Sequence, residues 1–234
     1  WRRHLNKCLC GSQDLKASVH DEYYLCNECG SLVSVKPRNI QRYDFSGVLK
    51  KHIIERSYLD FADRIPFWFN ELKKIPLNDS VLEIGCSHGG FLYYCNAFGF
   101  SRCVGVELNE ELCQYVRDTF NIETICADFP DVEIDEKFDI VCGFDLIEHL
   151  ENPLAGLKKM AELGKYVVIQ IPIYSGEALD YFPYFDAGVH LFIPSKKTIN
   201  KLFDLAGLEL ISCVDGAFKQ NLTMIGKVKD ESIN

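Results

Sequence analysis

The sequence predicts an α/β fold, a doubly wound and mostly parallel seven-stranded sheet, preceded by a small cysteine-rich module. Three observations carry that prediction. From Ser80 onward, seven apolar strand-like runs alternate with helical segments, the pattern of a parallel sheet covered on both faces. The first run, VLEIGC, leads into a short glycine-rich loop, CSHGGF. Four of the eleven cysteines stand in two paired turns near the start of the chain.

The paired turns are Cys8-Leu-Cys10-Gly11 and Cys26-Asn-Glu-Cys29-Gly30. In Cys-x-x-Cys-Gly the turn aims both thiolates at one point, and the glycine permits the backbone conformation that follows. Cys8, Cys10, Cys26 and Cys29 are therefore expected to close a tetrahedral site for a structural zinc ion. The first turn is one residue short, which leaves His4 open as a replacement for one thiolate. Tyr23, Tyr24 and Leu25 lead into the second turn as one strand of a short hairpin. Residues 1–38 thus read as a zinc-ribbon-like module. The other seven cysteines are scattered singly and read as reduced thiols.

Residues 39–78 are expected to form a helical connector or cap. KPRN, residues 36–39, is the linker leading into it, and VLKKHIIERSYLDFADRIPFWFNELKKI has apolar residues at broadly helical spacing. Pro66 should break or kink that helix. Tyr58, Phe61, Phe67, Trp68 and Phe69 are expected in the core, and a helix entering just before an α/β sheet is placed to lie over its cleft.

Residues 79–234 supply the sheet. After VLEIGC come RCVGVEL, ETICADF, FDIVCGF, YVVIQIP, LELISCV and NLTMIGKV. In such sheets the ligand sits beyond the carboxyl ends of the strands, where strand order reverses. Glu107 ends the second strand, 22 residues after Gly85, and a carboxylate there accepts hydrogen bonds from ribose hydroxyls. Nicotinamide dinucleotides and S-adenosylmethionine (SAM) share that requirement. Three observations favour SAM. Ser87 occupies the place of the middle glycine of Gly-x-Gly-x-x-Gly, where backbone must approach a pyrophosphate. Glu83 puts a carboxylate two residues before Gly85, which suits an ammonium and a sulfonium better than a diphosphate. Asp128 and Phe129 set an acceptor for an adenine amine beside an aromatic ring.

From Val81 to Leu150 the sequence resembles class I SAM-dependent methyltransferases of the small-molecule group, which have a Rossmann-like sheet. VLEIGCSHGGFL is similar to their first motif, with Ser87 as a departure, and FDIVCGFDLIEHLENP to their fourth strand and the loop after it. QIP and HLFIPSKKTINKLFDLAGLEL extend the resemblance over residues 80 to 228. It implies that Glu83, Gly85, Ser87 and Gly89 line the methionine end, that Glu107 and Leu108 hold the ribose, and that Asp128 and Phe129 meet the adenine. Phe144, at the end of the fourth strand, is expected among the same contacts.

Methyl transfer from a sulfonium is an in-line displacement, and a hydroxyl acceptor needs a general base or a metal to become nucleophilic. Asp145, Glu148 and His149 stand at i, i+3 and i+4, one face of a helical turn. His190 lies where a loop could return it to the same mouth. This set resembles the metal-binding residues of the ubiquinone-pathway O-methyltransferases and of the enzymes that modify small-RNA 3′ ends. The resemblance implies Mg2+ or another divalent ion held by Asp145, Glu148, His149 and His190. Without an ion, His149 or His190 becomes the general base and Asp145 an orienting group.

Paired cysteine turns ahead of such a core also resemble bacterial sugar methyltransferases, so a small-molecule or sugar-type acceptor is expected. The formal net charge of −9, without a dense Lys/Arg cluster, argues against nucleic acid as a partner. No apolar run reaches the length of a membrane span and the start has no leader-like stretch, so a cytoplasmic location is expected. The rival readings are an RNA methyltransferase whose ribbon docks substrate, and a non-catalytic SAM-binding scaffold. Oligomeric state is not encoded in any of these features.

Overall fold

A computed structural model describes residues 7–18, 20–39, 47–76, 79–176, 184–216 and 220–229. His4 and the side chain of Phe61, both part of the sequence expectations, lie outside the described residues.

The seven expected strands form one sheet: β4 (Ser80–Ile84), β5 (Arg102–Glu107), β6 (Glu123–Cys126), β7 (Phe138–Phe144), β8 (Gly164–Pro172), β10 (Leu208–Asp215) and β11 (Asn221–Val228). Their spatial order is β10-β11-β8-β7-β4-β5-β6. β6, β5, β4, β7 and β8 are parallel, while β11 runs antiparallel to β8 and to β10. The chain lays down β4, β5 and β6 in one direction and then returns to place β7 and β8 on the other side of β4. That reversal opens a crevice at the carboxyl ends of β4 and β7.

The strands sort their side chains by alternation. One face of the sheet packs Val81, Ile140, Cys142 and Val168 against α1 (Lys51–Leu72), α2 (Gly90–Ala97) and α3 (Glu110–Phe120). The other face packs Leu82, Ile84, Val141 and Val167 against α4 (Pro153–Leu163) and α5 (Lys196–Leu205). Asn109, Asn152 and Ser195 cap α3, α4 and α5, each accepting a backbone N–H with its side-chain oxygen.

Helix α1 runs unbroken through Pro66, so of the two expected effects the break does not occur. The proline removes one intrahelical hydrogen bond, but Ile65, Trp68 and Leu72 bury beside it. Each such side chain contributes roughly 1.5–3 kcal/mol of apolar burial, which offsets the lost bond.

The cysteine-bearing strands do not form a free-standing hairpin. β1 (Leu15–Ala17), β2 (Tyr23–Cys26) and β3 (Leu32–Ser34) make an antiparallel sheet whose fourth strand is β9 (Phe192–Ile193), from the segment between β8 and α5. Tyr23, Leu32, Ile193 and Tyr174 share one buried cluster there. The small sheet is thereby stitched to the large one. No helix among the described residues is long and apolar enough to cross a membrane.

Candidate active site

A cavity of about 310 Å³ opens at the carboxyl ends of β4, β5, β6 and β7. Its floor is Ile84 and Gly85 from the end of β4, with Val106, Glu107 and Leu108 from the end of β5. Ala127, Asp128 and Phe129 line it from beyond β6, and Asp145 and His149 from beyond β7.

The glycine-rich loop is shaped for close approach. Gly85 and Cys86 N–H both donate to Val106 O, at 2.8 and 3.1 Å. Ser87, in the place of the middle glycine, takes φ +49°, the left-handed conformation that glycine favours. Its N–H donates to Glu107 Oε2 at 3.0 Å, and Asn109 N–H donates to Oε1 at 2.9 Å. The carboxylate is thus aimed along the cavity wall. Gly89, at φ +73°, starts α2, and a Cβ there would lie 2.9 Å from the Val116 side chain. This glycine serves helix packing; Gly89 is not among the cavity-lining residues.

Two further residues are likewise not brought to the cavity. Glu83 and Phe144 both point to the α1–α2 face of the sheet, because alternation puts their side chains beside Cys142 rather than beside Leu82. Phe144 stacks on Trp68 with ring centroids 3.8 Å apart. Glu83 is buried, and among the described residues its Oε2 has no hydrogen-bond partner. Burial, and behind it the charge of Glu107, pushes its carboxyl well above the usual range.

Asp128 is at the wall as expected, but it already has a partner. Arg38 donates to both of its oxygens, at 2.8 and 3.1 Å. Arg38 belongs to the stretch that reads as a mere linker in the sequence. Among the polar lining residues, His88 is the second that sequence reasoning passes over. Its Nδ1 meets Ser87 Oγ at 3.1 Å and its Nε2 meets Val48 O at 2.9 Å, which ties the glycine-rich loop to the segment entering α1. A histidine flanked by small residues in a ligand-binding loop was the available signal for it.

Beyond β7 the expected four-residue set divides. Asp145 takes φ +52°, so the chain turns away from a helical path, and the following 3₁₀ turn spans only Ile147–His149. The i, i+3, i+4 register therefore fails for Asp145. Its carboxylate instead accepts from Arg64 at 3.3 Å, from Gln170 at 3.1 and 3.2 Å, and from Asn221 at 3.0 Å. Burial raises its pKa in spite of those donors.

Glu148, His149 and His190 do come together, with their ligating atoms all within 4.8 Å of one another. His149 Nδ1 lies 3.0 Å from Val189 O, and His190 Nδ1 lies 2.7 Å from Tyr184 O. A carbonyl only accepts, so each Nδ1 carries the proton and each Nε2 the lone pair. Burial, helped by the neighbouring His190, lowers the His149 pKa to about 4, and burial lowers that of His190 as well. Glu148 is 1% exposed, and among the described residues its Oε2 has no partner. Two neutral imidazoles and a buried, unpartnered carboxylate oxygen are a donor set that fits a divalent transition ion such as Mn2+, Fe2+ or Zn2+. They fit Mg2+ poorly, because that ion favours oxygen ligands and retained water.

All four N-terminal cysteines converge. Cys8 and Cys29 Sγ are 3.5 Å apart, and Cys10 and Cys26 Sγ 3.6 Å apart, with all four within 4.8 Å. Zinc–sulfur bonds of about 2.3 Å in a tetrahedron space the sulfurs about 3.8 Å apart, so the set fits a zinc ion without help from a histidine. Gly30, at φ +75°, closes the second turn by donating to Cys26 O at 2.9 Å. Burial pushes the Cys8 thiol up. Burial also raises Cys29, but hydrogen bonds from Ser31 and Thr198 outweigh it and bring Cys29 down to about 6.

A family model described as a methyltransferase domain matches residues 51–213. The chain is 26% identical to a probable (S)-tetrahydroprotoberberine N-methyltransferase of Papaver bracteatum, over 64% of this chain and 42% of that protein. It is 23% identical to the mitochondrial ubiquinone biosynthesis O-methyltransferase of Dictyostelium discoideum, over 44% of this chain and 39% of that protein. The chain spans less than half the length of these curated relatives. Among solved structures, the N-terminal domain of EvdMO1, crystallised in the presence of SAH and D-fucose, superposes with a TM-score of 0.54 at 16% identity, covering 71% of this chain and 83% of that one. With the family model covering most of its length and solved methyltransferases superposing on its sheet, the chain belongs to the methyltransferase-domain family and has the class I, SAM-dependent methyltransferase fold.

Proposed function

We propose that this protein transfers a methyl group from SAM to a hydroxyl of a small metabolite or sugar-type acceptor. The observation that carries the proposal is the Glu148–His149–His190 cluster, one member of which lines the cavity that Glu107 and Asp128 also line. In this reading Glu107 and Leu108 hold the ribose, Gly85 and Ser87 admit the methionine portion, and Asp128 and Phe129 flank the adenine. The sulfonium supplies the methyl group, and its sulfur leaves with the electron pair. An amine needs no base once neutral, whereas a hydroxyl must shed its proton as the methyl arrives.

Burial lowers the pKa of both histidines, which favours neutral rings protonated on Nδ1, and His149 brings its ring to the cavity wall. A divalent ion held by Glu148, His149 and His190 would supply Lewis acidity that lowers the acceptor hydroxyl's pKa. With no ion bound, His149 takes that proton on Nε2 and its Nδ1–H bond to Val189 O keeps the ring aimed. Zinc in the four-cysteine site completes the proposed metal complement as a structural ion.

The test is methyl transfer from SAM to simple catechols and sugars, read by mass spectrometry, with chelator and then with added Mn2+. Hydroxyl methylation lost in His149→Ala supports the reading, and its dependence on Mn2+ tells ligand from base. A second reading, N-methylation, is favoured by the alkaloid N-methyltransferase relative. Methylation of amines only, undiminished in His149→Ala, would replace the first reading with the second.

A further inference from the structure

The ribbon reaches the cavity through the side chain of Arg38, four residues beyond Ser34 at the end of β3. That stretch is fixed twice over. Val35 N–H donates to Glu22 O at 2.9 Å, Lys36 N–H to Ser34 Oγ at 3.0 Å, and the Lys36 ammonium pairs with the Glu22 carboxylate. On its other side, Ser34 N–H donates to Leu191 O and Asn39 N–H to Gly188 O, both at 2.9 Å. Arg38 thus arrives at Asp128 on a backbone with little freedom, its side chain 15% exposed.

The cysteine site anchors the same strands. Cys29 Sγ lies 3.3 Å from Ser31 Oγ, which donates to Thr198 Oγ1 at 2.8 Å at the start of α5. Ser195 N–H donates to Ser31 Oγ at 2.9 Å, and the Ser195 hydroxyl bonds Cys29 O. β2 and β3 connect directly through Cys26, Cys29 and Gly30. Within so small a sheet, whose strands are two to four residues long, hydrogen bonds alone give marginal stability. An ion across the four sulfurs is what would hold the β2–β3 connection rigid.

We propose that Arg38 is a positioning residue for the cofactor and that it makes cofactor affinity depend on the metal at the four cysteines. By its two hydrogen bonds Arg38 fixes the Asp128 carboxylate in one orientation at the cavity wall, and the ribbon holds Arg38. This inference rests on reading the cavity as the SAM site. It assigns to the ribbon a role in binding cofactor, in addition to any contact with acceptor.

The experiment is titration of SAH into the zinc-loaded protein and into protein stripped by a chelator, with the same Mn2+ concentration restored in both so that the histidine cluster is matched. Arg38→Met and Arg38→Lys are titrated alongside, with zinc content and circular dichroism recorded. Stripping should weaken SAH binding about tenfold in the unaltered protein, in line with the loss of one charge-assisted contact. Zinc-loaded Arg38→Met should show the same loss and no more on stripping, while Arg38→Lys recovers part of it. A zinc-loaded, folded Arg38→Met that binds SAH as tightly as the unaltered protein overturns the proposal. So does a stripping loss of equal size in both proteins, or a chain that takes up no zinc at these cysteines. Glu107→Ala separates the two claims: if it binds SAH undiminished, the reading of the cavity itself is what fails.

Discussion

The Glu107 end of the cavity and the His149 end are built by opposite rules. At the Glu107 end the residues supplied by the sheet stand within a few positions of a strand terminus, Gly85 and Ser87 after β4, Glu107 and Leu108 at β5, Asp128 and Phe129 after β6, and the ribbon adds Arg38. The parallel sheet brings these termini together whatever the loops do. At the His149 end, His149 and His190 come from segments 41 positions apart in number and are joined through backbone, with Leu191 N–H donating to Glu148 O at 2.8 Å and Tyr23 Oη to His190 O at 2.9 Å. The first end is mainly a property of the sheet, while the second is tied to the ribbon through Tyr23. In the proposed reading the sheet-built end takes the cofactor and the assembled end selects the acceptor.

The largest effect that tests this division belongs to the assembled end. His149→Ala and His190→Ala should each lower methyl transfer by about 10²–10⁴ fold, the span of general acid–base catalysis, while leaving SAH affinity unchanged in titration calorimetry. A fall in affinity to match would break the comparison, since the two ends would then act as one. Next in size, Glu107→Ala should weaken SAH binding by about 10–100 fold, from lost charge-assisted hydrogen bonds to ribose. Retained affinity with lost turnover would assign Glu107 to the chemistry instead.

The smallest effect concerns Glu83, which lies beneath the cofactor end without lining the cavity. Its folded-state pKa is raised by burial, and the unfolded chain ionises it near pH 4.5. The folded state therefore binds the proton more tightly, so the stabilisation is fully present below pH 4.5 and is lost as pH rises toward the folded value. Glu83→Gln has no proton to lose. Its melting temperature should fall less steeply than that of the unaltered protein as pH rises above about 4.5, by a difference of about 2–4 °C for each kcal/mol involved. SAH affinity should hold in the same variant; a large loss would return Glu83 to the binding site and blur the boundary between wall and support.

The seven strands, their order of appearance and the loop at Gly85 are legible in the sequence because buried parallel strands are short apolar runs set between helical segments. The cysteine site is legible because its ligands come in two tight turns, and the converging sulfurs show that Cys-x-Cys needs no substitute from His4. Asp145 reaches the cavity but falls out of the expected helical register, because a single left-handed residue cancels that register and a one-letter code does not carry φ. Phe144 and Glu83 lie off the cavity lining because an end-of-strand position does not say which face its side chain takes.

The sequence by itself therefore determined the sheet, the class of cofactor cleft and the thiol cluster, each of which rests on local periodicity or short spacing. Only the tertiary structure decided that β9 belongs to the ribbon's sheet, that Arg38 closes on Asp128, and that Glu148 and His149 meet His190 without Asp145. Those choices depend on hydrogen bonds between segments far apart in the chain, whose partners are selected by packing and burial rather than by any pattern along the sequence.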